Sequence, residues 1–244
     1  MNSFDAVTAV ILAAGQGKRM NSDRAKVLHE VAGKAMVCHV IDTCRSLGIG
    51  QCVVVVGHQR EQVEAVVSAP DVQCALQDRQ LGTGHAVLAA RPLVRGATTL
   101  VLCGDAPLVP ADLLRRALDR RVETGAPCVA VAAEMTDPSG YGRMITDDSG
   151  SLTAIVEHKD ANDAQRAVKL VNSGIFAFDS ERLFACLEQV RPNNAQGEYY
   201  LVDVIAMLVA ANERVELVTT DRVANIFGVN TLEDLTAAER MYRE

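Results

Sequence analysis

Three short stretches combine residue types and spacings that suit phosphate chemistry. The first is Val10-Ile11-Leu12-Ala13-Ala14-Gly15-Gln16-Gly17-Lys18-Arg19-Met20, with Lys26 just beyond it. Ala13, Ala14, Gly15 and Gly17 are small enough for a backbone to approach a ligand closely. Exposed N–H groups followed by the cations Lys18, Arg19 and Lys26 suit a run of phosphates. Read alone, the stretch is equally a strand, a tight turn and a solvated basic face. A dinucleotide fingerprint needs glycine where Met20 stands. A P-loop needs Ser or Thr after Lys18, where Arg19 stands. The chemistry therefore lies outside both motifs.

The second stretch is Leu81-Gly82-Thr83-Gly84, reached through Gln77. The Gln77 amide offers the paired donor and acceptor that match a pyrimidine edge. The third is Cys103-Gly104-Asp105, directly after Leu100-Val101-Leu102. A carboxylate placed there suits Mg²⁺, which takes few protein ligands and shares itself with substrate phosphates. Taken singly, the second reads also as an ordinary turn and the third as a capping aspartate. Together, cations, a base-reading turn and a metal carboxylate suit a nucleoside triphosphate. Glu157 and Asn172 end or interrupt later strands, and Asn230 sits in Gly228-Val229-Asn230-Thr231.

The elements that must position these residues follow from hydrophobic periodicity. Apolar runs predict strands at residues 6–12, 52–56, 72–76, 98–102 and 128–133. Helical patterns fall between them at 35–46, 62–67, 85–90 and 110–124. Strand–helix alternation implies a parallel sheet with helices on both faces, and ligands bind beyond its carboxyl ends. After Glu134 comes a turn-rich link, then a hairpin of 143–146 and 152–156 around Asp147-Asp148-Ser149-Gly150. A polar stretch spans 160–166. A strand at 168–178, helices at 180–189 and 199–211, a strand at 215–219 and a closing helix at 232–243 complete the pattern. This predicts one domain, 1–244: a nucleotide-binding half (1–134), a second half (135–230) forming a lid-like subregion over the sheet edge, and a terminal helix (231–244).

Composition narrows the classes. The chain has 244 residues, 49% of them hydrophobic, enough for one large core. Its formal charge of −7, with cations clustered near the N-terminus, argues against nucleic acid as a partner. No run reaches the roughly 18 apolar residues of a membrane span, and no leader pattern opens the chain, so a cytoplasmic location is expected. Seven cysteines without a C-x-x-C pair predict reduced, mostly buried thiols. The histidines show no paired ligand spacing, so zinc is not expected.

A wider set of strings carries a resemblance. They are Leu12-Ala13-Ala14-Gly15-x-Gly17-x-Arg19-Met20, Lys26-Val27-Leu28, Gly33-Lys34-x-Met36, Gln80-Leu81-Gly82-Thr83-Gly84-His85-Ala86 and Gly104-Asp105-x-Pro107-Leu108. Further on stand Tyr141-Gly142-Arg143, Ile155-Val156-Glu157-His158-Lys159-Asp160, Asn172-x-Gly174-Ile175 and Asn194-Ala195-Gln196-Gly197-Glu198-Tyr199-Tyr200. Together they resemble the pyrophosphorylase domain of bifunctional N-acetylglucosamine-1-phosphate uridyltransferases, over nearly the whole chain. The opening loop is common to sugar-phosphate nucleotidyltransferases, whereas the Glu-His-Lys-Asp and Asn-Ala-Gln-Gly-Glu-Tyr-Tyr strings are more specific to this branch.

The resemblance implies a Rossmann-like nucleotidyltransferase fold: α/β, a mostly parallel central sheet with helices on both faces and a small β-rich sugar-binding subregion. It implies uridylyl transfer from UTP to N-acetylglucosamine 1-phosphate with Mg²⁺, by in-line attack without a covalent intermediate, in cell-wall precursor biosynthesis. Leu12, Ala13, Ala14, Gly15 and Gln77 would hold the uridine, with Gly82 and Thr83 closing on base and ribose. Arg19, Lys26 and Asp105 would be catalytic, the two cations on the triphosphate. Asp105 and Asn230 would ligate Mg²⁺. Gly142, Glu157 and Asn172 would hold the sugar, beside Cys103 and Gly104. Three positions depart from the pattern: Lys18 for threonine, Ala25 for proline and Cys103 for tyrosine. The family continues into hexapeptide repeats of a left-handed β-helix acetyltransferase, which this chain is expected to lack. Two rivals stand beside this reading: transfer to another sugar 1-phosphate, and a catalytically silent nucleotide-sugar binding protein.

Overall fold

Runs of valine, alanine and leucine form strands because β-branched and small apolar side chains fit a pleated surface buried on both faces. A computed structural model of the chain describes residues 4–148 and 150–243. In order it contains β1 (Val7–Leu12), the short strands β2 (Glu30–Val31) and β3 (Lys34–Ala35), α1 (Met36–Ser46) and β4 (Gln51–Val56). Then come α2 (Arg60–Val67), β5 (Val72–Leu76), α3 (Thr83–Ala90), β6 (Thr98–Cys103), α4 (Ala111–Thr124) and β7 (Cys128–Glu134). The second half adds β8 (Arg143–Thr146), β9 (Leu152–Val156), α5 (Asp163–Arg166), β10 (Leu170–Asp179) and α6 (Ser180–Leu187). It ends with α7 (Asp203–Ala210), β11 (Val215–Thr220) and α8 (Leu232–Arg243).

The main sheet runs β11-β7-β10-β6-β1-β4-β5. β6, β1, β4 and β5 are mutually parallel, and β11 is parallel to β7. β10 runs antiparallel to both its neighbours, β6 and β7. Alternate residues of each strand feed two cores. Ala9, Ile11, Leu100 and Leu102 pack with α1, α2 and α4 on one face. Val10, Val53, Val101 and Phe178 pack with α3, α6 and α7 on the other. A one-residue slip of β1 would exchange the two sets, so register is strongly specified.

Register also places the loops. Leu12 pairs with Cys103 at the ends of β1 and β6, so the loop after β1 and the Gly104-Asp105 turn emerge side by side. Arg143 pairs with Val156 across the hairpin and with Val171 of β10. Gly142, Glu157 and Asn172, each one residue beyond such a pair, are thereby drawn together. The hairpin joins the main sheet through β10. Arg143, 1% exposed, braces this corner from inside. Its guanidinium donates to the Tyr141 carbonyl, to the Arg166 carbonyl and to His158 Nδ1.

Elements match the periodicity closely, with informative differences. α3 begins at Thr83, inside the stretch read as a turn, with Gly82 as its cap. α7 begins at Asp203 rather than 199, because the Tyr199 N–H and carbonyl are bonded to Leu81 and Gly84 instead. The sequence reading contained no β2–β3 hairpin; its turn residues Ala32 and Gly33 both have positive φ, the two-residue geometry that ties short strands. α5 lies in the polar stretch, started by an Asn162–Gln165 capping box. The tip of the predicted hairpin at Ser149, the first three residues and Glu244 lie outside the described residues.

A bulge in β10 between Asn172 and Phe176 re-aims Asn172. Gly174 has φ +77, and a Cβ there would lie 2.8 Å from Cys103 Sγ. Gly174→Ala should therefore cost about 1–3 kcal/mol through backbone strain and this clash. The loss should shrink in a Cys103→Ala background, where only the φ penalty persists. Urea-unfolding midpoints of the four proteins measure both; equal losses in the two backgrounds would clear Cys103 of any steric part.

Candidate active site

A cleft of about 730 Å³ opens over the carboxyl ends of β1 and β6. Nine of the residues singled out from sequence line it: Leu12, Arg19, Thr83, Cys103, Asp105, Gly142, Glu157, Asn172 and Asn230. Lys26 joins through its contacts with two of them. Ala13, Ala14, Gly15, Gln77, Gly82 and Gly104 do not themselves line the cleft.

One wall holds a charge network. The Lys26 ammonium pairs with Asp105 Oδ2 and donates to Asn230 Oδ1 at 3.2 Å. Arg19 donates to the same Asn230 oxygen at 2.9 Å. Several local features bring these distant residues together. Gly17 has φ +58, and a Cβ there would lie 2.7 Å from Lys26 Cβ, so only glycine lets the loop close. Gly104 N–H donates to the Leu12 carbonyl at 2.9 Å, fixing Asp105 beside β1. Val229 N–H donates to the Asp105 carbonyl at 2.9 Å, which docks the Asn230 loop. The Asn230 amide nitrogen donates to the Gly228 carbonyl at 3.1 Å, turning Oδ1 toward the cations.

Asp234, which sequence reasoning missed, fixes that loop further. Its Oδ2 accepts from the Asn230 and Thr231 N–H groups, each at 2.9 Å, and its own N–H donates to Thr231 Oγ1. This is a capping box at the start of α8, and Thr231-x-x-Asp234 was readable as one. A carboxylate oxygen and an amide oxygen thus converge on one ammonium. Both are hard donors, and so small a set fits Mg²⁺, which keeps water or phosphate in its other positions.

The opposite wall holds Gly142, Glu157 and Asn172. A Cβ at Gly142 would lie 3.4 Å from Glu157 Oε1 and 3.5 Å from Asn172 Cβ, so glycine leaves this corner open. Asn172 Oδ1 accepts from Gly174 N–H at 3.0 Å, which fixes the amide plane. Burial pushes the Glu157 carboxyl above its ordinary range, helped by the negative charges of Asp160, Asp203 and Glu198. Burial likewise pushes the Cys103 thiol up to about 12, so it lines the cleft as a neutral group. Tyr141, also missed, lines the cleft with its phenol beside the Gly228 backbone, and burial pushes that phenol above its ordinary range.

The turn at Gly82 and Thr83 stands at the third side. Gln77, 3% exposed, lies beneath it, donating to the Gly82 carbonyl at 3.1 Å and facing His85 Nδ1 at 3.0 Å. Gly82 has φ +115, and a Cβ there would lie 2.6 Å from the Tyr199 carbonyl. Ala13 and Ala14 are buried against the end of β4, with Ala13 N–H donating to the Val55 carbonyl.

The sequence matches the model of the MobA-like NTP transferase domain over residues 9–172. The chain belongs to this family of nucleotidyltransferases. It is 45% identical over 246 residues to the bifunctional protein GlmU of Exiguobacterium sibiricum, matching all of this chain and 54% of that protein. It is 45% identical over 237 residues to that of Halalkalibacterium halodurans, covering 96% of this chain and 52% of the relative. The chain spans about half the length of these curated relatives, and they bear out the resemblance read from the motifs. A solved UDP-glucose pyrophosphorylase, complexed with UDP-glucose, superimposes with a TM-score of 0.78 at 15% identity, covering 97% of this chain and 98% of that one. That likeness is one of fold. Among the described residues of this nucleotidyltransferase, no helix is long and apolar enough to cross a membrane.

Two outcomes follow. Asp234→Ala removes the box that caps α8 and should cost about 0.5–2 kcal/mol. In calorimetry it should also weaken Mg²⁺ binding; unchanged metal affinity would show that Asn230 needs no such support. For Glu157, the folded-state pKa lies above the unfolded one, so ionisation costs stability as pH rises through that interval. Glu157→Gln should therefore be more stable than the native protein at pH 7. The difference should vanish below about pH 4, where the carboxyl is protonated in both states. Denaturation midpoints across that range decide it, and a Gln variant no more stable at pH 7 would contradict the cost of burial.

Proposed function

We propose that this chain transfers the uridylyl group of UTP to N-acetylglucosamine 1-phosphate, giving UDP-N-acetylglucosamine and pyrophosphate. The observation that carries this reading is the meeting of Arg19, Lys26, Asp105 and Asn230 on one wall of a cleft whose opposite wall holds Gly142, Glu157 and Asn172. The first set suits a metal–triphosphate, the second a sugar. The halves then divide as 1–134 for the nucleotide and 135–230 for the sugar, with 231–244 closing the chain.

The sugar phosphate is anionic near neutral pH, so its oxygen attacks the α-phosphorus without a general base. Catalysis is then positioning and charge neutralisation. Lys26 leaves Asp105 for the triphosphate, and with Arg19 it offsets charge on the departing pyrophosphate. Asp105 and Asn230 would hold Mg²⁺. Bound there, the metal supplies a further positive charge at the reacting phosphates. Leu12 to Gly15 pass beneath the uridine, while Gln77 holds the Gly82 carbonyl so that this turn meets the base. Glu157 accepts from sugar hydroxyl or amide N–H groups, and Asn172 adds its fixed amide. Seven free thiols fit a reducing compartment, so the reading places the enzyme in the cytoplasm.

Cys103 favours a second reading, a wider choice of sugar. The thiol stands where the resembling enzymes carry a tyrosine, and it leaves more room beside Gly174.

A pyrophosphate-release screen tests both. UTP with N-acetylglucosamine 1-phosphate should be the fastest pair, ahead of glucose and galactosamine 1-phosphates and of purine triphosphates. Asp105→Asn should lower turnover by at least about 10²-fold with the fold intact by circular dichroism. Equal rates with purine triphosphates would rule out a base-reading role for the Gly82 turn, and near-normal turnover of Asp105→Asn would rule out its metal role.

A further inference from the structure

Between α6 and α7 the segment from Asn194 to Leu201 is neither helix nor strand, yet both sides of the cleft hold it. On the sugar side, Ala195 N–H donates to Asp160 Oδ1 at 2.7 Å, and Lys159 Nζ donates to Gln196 Oε1 at 2.6 Å. The Asp160 and Ala161 N–H groups donate in turn to the Glu157 carbonyl at 2.9 and 3.0 Å. This anchor is therefore the turn that carries Glu157. On the nucleotide side, Gly84 N–H donates to the Tyr199 carbonyl and Tyr199 N–H to the Leu81 carbonyl, both at 2.8 Å. Leu201 N–H donates to Thr83 Oγ1 at 3.0 Å. That anchor is the Gly82–Thr83 turn. Between the anchors the segment is cross-braced. Asn194 Oδ1 accepts from the Gln196 and Glu198 N–H groups, and Gln196 Nε2 donates to the Tyr200 hydroxyl at 2.6 Å. A strap tied at both ends and stiff in the middle transmits displacement rather than absorbing it.

We propose that this strap couples the two substrate subsites, with Asp160 as the positioning residue on the sugar side. The inference rests on the uridylyl-transfer reading. Seating a nucleotide against Gly82 and Thr83 shifts the stiff strap, which through Asp160 sets the Glu157 turn in place for the sugar. The second ligand then meets a turn already set for it, which is positive cooperativity between sites. Couplings of this kind typically span about 5- to 150-fold in affinity.

The test uses a UTP analogue whose α–β bridge is imido, so that both ligands bind without reacting. Calorimetry with Mg²⁺ gives the Kd of N-acetylglucosamine 1-phosphate with and without a saturating concentration of the analogue. In the native chain the analogue should tighten sugar-phosphate binding by at least about 5-fold. In Asp160→Ala that factor should fall below about 2-fold, while the Kd of the analogue alone stays within about 2-fold of native. Asp160→Asn removes the charge near Glu157 but keeps an oxygen that accepts from Ala195 N–H, so coupling should survive. This separates the strap from simple electrostatics. Lys159→Met cuts the exposed tie to Gln196 and should weaken coupling in part, so the strap is tested even if Asp160→Ala fails to fold. Coupling unchanged in Asp160→Ala and Lys159→Met, or in Lys159→Met alone where Asp160→Ala does not fold, would overturn the proposal. A native chain that binds both ligands independently would overturn it while leaving the functional reading in place. A native chain that binds neither would overturn that reading, and the inference with it.

Discussion

The ion pair between Lys26 and Asp105 is the interaction on which the site depends. Its members are only 16% and 18% exposed, so either charge alone would be poorly solvated. Paired, they hold the loop after β1 against the turn after β6 and give Asn230 a cation to face. The same pair is the obstacle to chemistry, because the carboxylate is occupied while the lysine stays. In the proposed reaction a triphosphate with a divalent cation would resolve this by exchange: the ammonium would take phosphate oxygens and the carboxylate the metal. On that proposal the charge-balanced site would open at low cost only to a ligand carrying both signs.

The rest of the architecture serves to bring short loops to that pair. Parallel β1, β4, β5 and β6 put their carboxyl ends on one edge, and the Leu12–Cys103 register sets two loops shoulder to shoulder. Antiparallel β10 then carries a bulge to the same edge, aiming Asn172 at the cleft. The β8–β9 hairpin adds Gly142 and Glu157 by its own register with β10. Buried Arg143 stiffens this corner by donating to carbonyls rather than to a carboxylate. Glu157 is buried and faces the negative charges of Asp160, Asp203 and Glu198, which together hold its carboxyl above the ordinary range. On the proposed function, a carboxylate destabilised in this way would gain from hydrogen-bond donors on a sugar.

Much of this could be read from the residues. Strand runs such as Val72–Leu76 and helical faces such as Leu232–Arg243 are local patterns, and the structure returns them unchanged. The small-residue loop and its cations were legible because backbone access and charge are properties of residue type. Pairing was not: nothing local says that β10 inserts antiparallel between β6 and β7, since those contacts span long separations in the chain. Gln77 looked like an open reading group, yet its amide nitrogen is spent beneath the Gly82 turn. The two strings most specific to the resembling branch are Glu157-His158-Lys159-Asp160 and Asn194 to Tyr200, and of their residues only Glu157 carries an expected ligand role. Each is largely occupied in holding the other, through Asp160 with Ala195 and Lys159 with Gln196. Specificity in sequence here marks a mutual contact as much as a substrate contact.

The exchange at Lys26 is open to direct observation. A crystal structure of the chain with Mg²⁺ and a UTP analogue bridged by an α–β imido group would locate each group. The Lys26 ammonium should then lie on a phosphate oxygen, with Asp105 and Asn230 both on the metal. A bound triphosphate with Lys26 still paired to Asp105, and the metal held elsewhere, would contradict the exchange.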